Sequence, residues 1–199
     1  DWELDETLDI NGWDLSKTLR HFHKSNATLF EWCNSPVVYR TTPEWERVRR
    51  TAERYFSCKA GMYHYYGTAR TNFTEYLQGE EVKYKKYFYV LRPILACKWI
   101  EEKSCPPPVL FSELAASVLE EEMRPAVERL IDIKVKTPET GKGRRIDELN
   151  DYISRNLDAF KTKTAAMPDD RVTDWEELNR LFLEQIKLME DSAKRLEKG

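Results

Sequence analysis

Two cations and a phenol recur at helical spacing near the middle of this 199-residue chain. Lys85, Tyr89 and Arg92 stand at i, i+4 and i+7, which places their side chains on one flank of a helix. An ammonium and a guanidinium held this close together can bind a polyanion. The spacing therefore predicts a phosphate-binding flank. The plainer alternative, the solvated basic face of an ordinary core helix, is equally compatible with these three residues.

Asp9 is the carboxylate whose position best suits chemistry. It lies near the end of a predicted strand and directly before the Asn11-Gly12 turn, where a site can form. The plainer alternative is a solubilising acid on an exposed strand face. His64 could act as an acid or a base, although a lone helical histidine is more often structural. The sequence shows no zinc-ligand spacing, Gly-rich phosphate loop or nucleophile elbow.

The composition narrows the class of protein. Hydrophobic residues make up 41% of the chain, charged residues 34%, and there are only 7 glycines, which is typical of a helix-rich globular protein. No stretch approaches the roughly 18 uninterrupted apolar residues of a membrane span. We therefore expect a cytoplasmic protein with no membrane partner.

Charge is distributed unevenly along the chain. The formal net charge is −3, yet residues 40–98 contain 12 Lys and Arg against 6 Asp and Glu. A locally basic segment is compatible with a nucleotide or nucleic-acid partner. The acidic remainder argues against a general DNA-coating protein.

The basic flank needs a helix to hold it, and the pattern predicts one from Glu81 to about Lys103. Apolar residues recur there at i, i+4, i+7 and i+11, which indicates the face that packs inward. These residues are Tyr84, Phe88, Leu91 and Leu95. Further helices are predicted on either side. The last two, 146–160 and 175–189, are predicted to pack as an antiparallel pair.

The N-terminus has the alternating pattern of a half-buried strand. Trp2, Leu4, Leu8 and Ile10 alternate with polar residues, and Val37 to Tyr39 is the other convincing strand. The predicted fold class is therefore α+β and predominantly α, with the remnant of a small mixed sheet followed by a multi-helix domain. An incomplete sheet would leave apolar strand surface, which a second copy of the chain could cover to form an oligomer.

Three blocks of sequence carry a family resemblance. The runs LDINGWDLSKTLRHFHKSNATLFEWCNSPVVYR, FSCKAGMYHYYGTARTNFTEYL and EVKYKKYFYVLRPILACKWIEE occur in that order. The chain resembles nucleotidyltransferases of the DNA polymerase beta superfamily that form an RNA-repair-pathway family. The resemblance extends from about Leu4 to Leu157.

The resemblance implies a reaction and its cofactor. In that superfamily a small mixed sheet bears three carboxylates that hold two Mg²⁺ ions, and these serve in-line displacement at the α-phosphate of a nucleoside triphosphate. Asp9 would be the third carboxylate, on the attacking side. The family's Gly-Ser turn and Asp-x-Asp strand belong upstream of Leu8 and are absent from this sequence. We therefore expect the chain by itself to be inactive.

The resemblance also assigns binding residues and domains. Lys85, Tyr89 and Arg92 would face the triphosphate, and Ser25 and Asn26 would bond nucleotide phosphate or sugar. His64 and Arg70 are weaker candidates for substrate contact. Residues 1–40 would be the C-terminal part of the catalytic domain, and residues 41–199 the helical domain that binds substrate and nucleotide.

Two other functions fit the same residues. One is a non-catalytic helical module that binds nucleotide, RNA or a protein partner. The other is a helical scaffold whose basic flank is only solvated. Loss of nucleotide affinity on replacing Lys85 and Arg92 would distinguish a binding site from the scaffold.

Overall fold

A computed structural model describes residues 2–3, 9–136 and 141–196, and the side chains of residues 10–136 and 141–191. Within them the chain forms helices, one 3₁₀ turn at Glu121–Met123 and four short strands. The α-helices are α1 (Leu15–His23), α2 (Ala27–Cys33), α3 (Pro43–Glu53), α4 (Cys58–Tyr76), α5 (Lys85–Lys103), α6 (Phe111–Val118), α7 (Arg124–Lys136), α8 (Asp147–Ala166) and α9 (Glu176–Leu196). The strands are β1 (Trp2–Glu3), β2 (Asp9–Ile10), β3 (Glu81–Lys83) and β4 (Lys142–Arg144). The predicted α+β, predominantly α class is confirmed.

Side-chain caps fix where the first four helices begin. Asp14, Asn26, Thr42 and Ser57 each accept a hydrogen bond from the backbone N–H three residues later, at 2.7 to 3.2 Å. Such caps satisfy amide groups that the helix itself leaves without partners. Pro43 occupies the first turn of α3, where its missing N–H costs nothing.

The N-terminal strand prediction needs correction. β1 and β2 pair antiparallel, with Trp2 opposite Ile10 and Glu3 opposite Asp9, so the chain reverses direction between them. The prediction of a single strand from Trp2 to Ile10 is therefore wrong, and residues 4–8 lie outside the described part. The segment 37–39 is exposed and forms no strand.

The start of the central helix also differs from the prediction. Residues 81–83 form β3, which pairs antiparallel with β4 of a distant segment, and α5 begins at Lys85. Helical periodicity cannot reveal such pairing, because the partner strand lies about 60 residues further along the chain. The prediction of a helix from Glu81 is therefore wrong by one turn.

The larger hydrophobic core surrounds α5. This helix packs against α4, α6 and α8, and it is buried on nearly every side. Its fully buried side chains include Tyr87, Val90, Leu91, Ile94 and Leu95. α5 therefore holds a fixed position in the centre of the fold, and residues on its exposed flank are held equally firmly.

A second, smaller core joins the first three helices to the last one. Phe22 of α1, Phe30 of α2 and Val48 of α3 cluster with Leu178 and Leu181 of α9. α8 instead packs on α4 and α5. The prediction that the last two helices pack as an antiparallel pair is wrong. An apolar stripe shows that a face of a helix is buried, but it does not show which element covers that face.

Within residues 9–136 and 141–196, no helix combines the length and the apolar character needed to cross a membrane.

Candidate nucleotide-binding cleft

A cleft of about 250 Å³ opens between α4 and α5, next to the end of α2. It brings together three of the residues singled out from the sequence: His64 on α4, and Tyr89 and Arg92 on α5. The cleft is also lined by Glu31, Tyr65, Thr68, Asn72, Phe88 and Pro93. A concave site with aromatic walls and a few polar groups is the usual form of a small-molecule site.

Arg92 is the cation of this cleft, and two hydrogen bonds hold it in place. Its Nε donates to the carbonyl of Val109 at 3.0 Å, and one Nη donates to Glu31 Oε1 at 2.9 Å. A guanidinium carries five N–H donors. Two bonds fix its orientation and leave donors for an anionic ligand.

Glu31 is a cleft residue that the sequence analysis missed. Its Oε1 accepts hydrogen bonds from both Arg92 and the hydroxyl of Tyr65, the latter at 2.9 Å. Burial and the neighbouring Glu31 raise the pKa of Tyr65, so its hydroxyl remains a donor. The available signal was a charged residue between Phe30 and Trp32 in a short apolar helix.

Desolvation in this cleft favours the neutral form of the His64 imidazole. Desolvation lowers the pKa of its imidazole, Glu31 opposes that shift, and the positive charge of Arg92 adds to it. A neutral imidazole can donate with one nitrogen and accept with the other. His64 is therefore suited to hydrogen bonding with a polar ligand.

Asp9 and the metal site lie partly outside what the structure describes. The backbone of Asp9 belongs to β2, opposite Glu3, and its side chain is not among those described. Among side chains 10–136 and 141–191, no three His, Cys, Asp or Glu residues are grouped so that they could hold a metal ion. These side chains do not by themselves fit the two Mg²⁺ ions that the resemblance implies.

Comparison with known proteins identifies the family. The model of the RNA repair pathway DNA polymerase beta family, RlaP, matches residues 1–184. The chain belongs to the RlaP family. A Bacillus subtilis (strain 168) protein named "Uncharacterized protein YcgL" is 42% identical over 188 residues, which is 92% of this chain and 72% of that protein. No solved structure matches the chain.

Two lysines at the start of α5, Lys85 and Lys86, lie outside the lining of the cleft of this RlaP protein. Lys85 is half-buried at the first turn of α5 and does not line the cleft. The ammonium of Lys86, which the sequence analysis did not single out, lies 3.4 Å from the ring centroid of Tyr76 and 4.9 Å from that of Tyr89. Cation–π contacts of this kind hold the lysine beside the aromatic edge of the cleft.

Ser25 and Asn26 hold the junction between α1 and α2. Asn26 caps α2, and the buried Ser25, at φ 53°, accepts a hydrogen bond from the backbone N–H of Ser57 at 2.8 Å. Neither residue lines the cleft, and neither does Arg70, which is exposed on α4. Their assignment to nucleotide or substrate contact stays a prediction.

Proposed function

We propose that this chain supplies the nucleotide-binding helices and the third carboxylate, Asp9, of a nucleotidyltransferase. The enzyme would transfer a nucleotidyl group from a nucleoside triphosphate to a hydroxyl of an RNA. Membership of the RlaP family supports the reaction class. The observation that carries the proposal for this chain is the cleft in which His64, Tyr89 and Arg92 meet.

The base and ribose of the nucleotide are assigned to the cleft. Its volume of about 250 Å³ is just below the roughly 300 Å³ of the smallest sites for drug-sized ligands. Tyr89 is 49% exposed and offers a ring face for stacking. Thr68, Asn72 and His64 supply polar groups for the edges of the base or the sugar hydroxyls.

The phosphates are assigned to the basic flank of α5. Arg92 and Lys85 are seven residues apart, about 10 Å along a helix axis, so their long side chains would have to converge to contact the same triphosphate. Arg92 presents its remaining donors beside the carboxylate of Glu31, which limits the positive charge of the cleft itself. The lysines at the start of α5 supply the further positive charge that a triphosphate needs.

The reaction would be an in-line displacement at the α-phosphorus. The acceptor oxygen forms a bond to that phosphorus, the bond to the α–β bridging oxygen breaks, and pyrophosphate leaves. Asp9 is assigned to the attacking side. Dependence on Mg²⁺ stays a prediction, since the described side chains do not by themselves form a site for it.

Calorimetric titration with ATP, GTP, CTP and UTP tests the binding step. Tyr89→Ala removes a ring that is 49% exposed, and Arg92→Lys keeps the charge but loses the two-point anchoring. We expect either change to weaken binding at least about tenfold, the effect of 1.4 kcal/mol. The matched control is Arg145→Ala, which breaks an ion pair of similar length, 2.8 Å to Asp147, on another surface.

The outcome separates the candidate functions. Binding that is lost in the cleft variants and kept in the control supports the proposal, and no nucleotide binding by the wild-type chain contradicts the assignment of the cleft. Nucleotide binding without transfer, in a protein that includes the family's upstream carboxylates, would favour the non-catalytic binding module.

Three further expectations stay predictions. They are the two-domain division at residue 40, a cytoplasmic location and an oligomer formed through the N-terminal sheet.

A further inference from the structure

We propose that a second surface, on the other side of α2, binds single-stranded RNA by stacking bases on aromatic rings and pairing phosphates with arginine. We call it the aromatic surface and define it by Trp13, Trp32, Tyr39, Arg40 and Trp45. It deepens the function proposed above, because it would hold the strand whose hydroxyl accepts the nucleotidyl group.

A broad cavity of about 660 Å³ forms the centre of this surface. Trp32 lies at the end of α2, Tyr39 and Arg40 in the following loop, and Trp45 in the first turn of α3. The cavity is also lined by Glu46 and Arg49, which form an ion pair at 3.1 Å, so Arg40 is the cation of this cavity that is left for a phosphate among the described residues. The volume of the cavity is large enough for more than one base.

Trp13 and Trp45 are half-buried against the smaller core, whereas Tyr39 and Trp32 are exposed. Tyr39 is 97% exposed and Trp32 is 43% exposed. Neither Tyr39 nor the neighbouring Arg40 makes a hydrogen bond or ion pair within the described part of the chain. Stacking of bases on exposed aromatics, with arginine beside them, is the common mode of binding single strands.

The surface continues towards the N-terminus as a row of aromatic rings, in which Trp13 stacks on His21 and lies tilted by 45° against Trp32. Trp13 lies 4.6 Å from Trp32 and 4.4 Å from His21, measured between ring centroids. The ammonium of Lys17 lies 4.7 Å from the ring centroid of Trp13. Rings and a cation in sequence provide successive places for bases and phosphates.

Charge at this end of the row favours a polyanion over an acidic or neutral partner. Desolvation lowers the pKa of His21, and the positive charges of Lys17, Lys24 and Arg20 lower it further. Three cations therefore lie near His21, and Lys17 also contacts the ring of Trp13. Cations beside aromatic rings fit a nucleic-acid strand.

The position relative to the nucleotide cleft suits an acceptor. Glu31 lines the cleft and the adjacent Trp32 lines the aromatic surface, so the two sites meet at consecutive residues of α2, whose side chains point about 100° apart around the helix axis. Trp13 follows Asp9 by four residues, which limits their Cα separation to about 14 Å. The acceptor strand would therefore approach from the side on which Asp9 is proposed to act.

Fluorescence anisotropy of labelled RNA oligonucleotides of about 12 nucleotides, within the site sizes of single-strand binders, tests the proposal. The variant is Tyr39→Ala with Arg40→Ala, two exposed residues whose replacement leaves the packing intact. We expect at least a tenfold loss of affinity, and a salt slope smaller by about 0.7 for the lost cation. The matched control is Tyr63→Ala with Arg155→Ala, an exposed tyrosine and an exposed arginine on α4 and α8.

Each result has a defined meaning. Loss of RNA binding in the test variant alone, with nucleotide affinity unchanged, supports the proposal. It is overturned if the wild-type chain binds no RNA, if both variants lose affinity equally, or if duplex RNA binds as tightly as the single strand. It is also overturned if sedimentation shows that the wild-type chain and the control variant are dimers and the test variant is a monomer. The surface would then be an interface between copies of the chain. Failure of the nucleotide cleft would show separately, as absent nucleotide binding with RNA binding intact.

Discussion

Arg92 and Glu31 form an ion pair at 2.9 Å that joins the central helix α5 to α2. Their side chains are 26% and 25% exposed, so the pair is screened less than a surface pair. The same carboxylate accepts a hydrogen bond from the hydroxyl of the buried Tyr65. The larger core, the smaller core and the cleft therefore meet at one carboxylate, which links the geometry of the nucleotide site to the packing of α2.

A double-mutant cycle on this pair should give a coupling free energy of about 1 kcal/mol. The reason is that a half-buried pair with a shared hydrogen-bond network exceeds the 0.3–0.5 kcal/mol typical of exposed helix pairs. The measurement is urea unfolding of Glu31→Gln, Arg92→Gln and the double variant. The control cycle is Arg129 with Glu148, an exposed pair at 2.8 Å, and equal coupling in the two cycles would contradict the expectation.

Asp170→Asn should destabilise the protein by about 1 kcal/mol, the usual cost of losing a helix cap. The carboxylate of Asp170 lies at the start of α4, where it accepts hydrogen bonds from the Ser57 hydroxyl at 2.5 Å and the Cys58 N–H at 2.7 Å. It thereby ties the segment before α9 to α4. Asp169→Asn is the control, because among the described residues Asp169 forms its ion pair with Arg171, two residues away.

The contribution of Asp170 should disappear in acid. Desolvation raises the pKa of Asp170, but its hydrogen bonds from Ser57, Cys58 and Lys59 outweigh that effect and hold the pKa below the ordinary value of 3.8. A depressed pKa in the folded state stabilises the protein above the unfolded pKa, and this stability is lost as the pH falls through the folded value. The Tm difference between wild type and Asp170→Asn should therefore be full at pH 7 and shrink below about pH 4. A difference that stays constant down to pH 2 would show that the carboxylate charge is irrelevant.

Two glycines of α4 should respond in opposite directions to alanine. A Cβ at Gly67 would meet nothing within 4 Å, so Gly67→Ala should stabilise the protein by about 0.5–1 kcal/mol through helix propensity. A Cβ at Gly61 would lie 2.9 Å from the Phe56 ring and 3.0 Å from Ile100 of α5, so Gly61→Ala should destabilise it by about 1–2 kcal/mol. Thermal unfolding of both variants checks the signs, and stabilisation by both would mean that α4 and α5 pack less closely than described.

Tyr87→Phe should cost about 1–3 kcal/mol, because the hydroxyl joins α5 to α8. It donates to Asn150 Oδ1 at 2.7 Å and accepts from the Ile146 N–H at 2.8 Å. Burial raises the pKa of Tyr87 to about 12, so the hydroxyl stays protonated at neutral pH. Tyr84→Phe is the matched control, since within the described part of the chain that hydroxyl makes one long contact, of 3.4 Å, to the Arg144 carbonyl. Denaturant unfolding should separate the two, and equal losses would contradict the role given to the Tyr87 network.

The sequence alone determined the features that depend on near neighbours. Asp14, Thr42 and Ser57 cap helices because a cap involves only residues three positions apart. The spacing of Tyr89 and Arg92 put both on one flank of α5 for the same reason, and both line the cleft. Three blocks in the right order were enough to indicate the family, which the match over residues 1–184 establishes.

The tertiary structure decided everything that joins distant segments. Glu31 meets Arg92 from 61 residues away and Tyr65 from 34, and no local pattern contains those distances. Pairing with β4 made residues 81–83 a strand, and packing on α1 and α3 separated α9 from α8. Periodicity shows which face of an element is buried, whereas the choice of partner depends on shape and contacts formed only in the folded chain. The cleft and the aromatic surface, on either side of α2, are products of that choice.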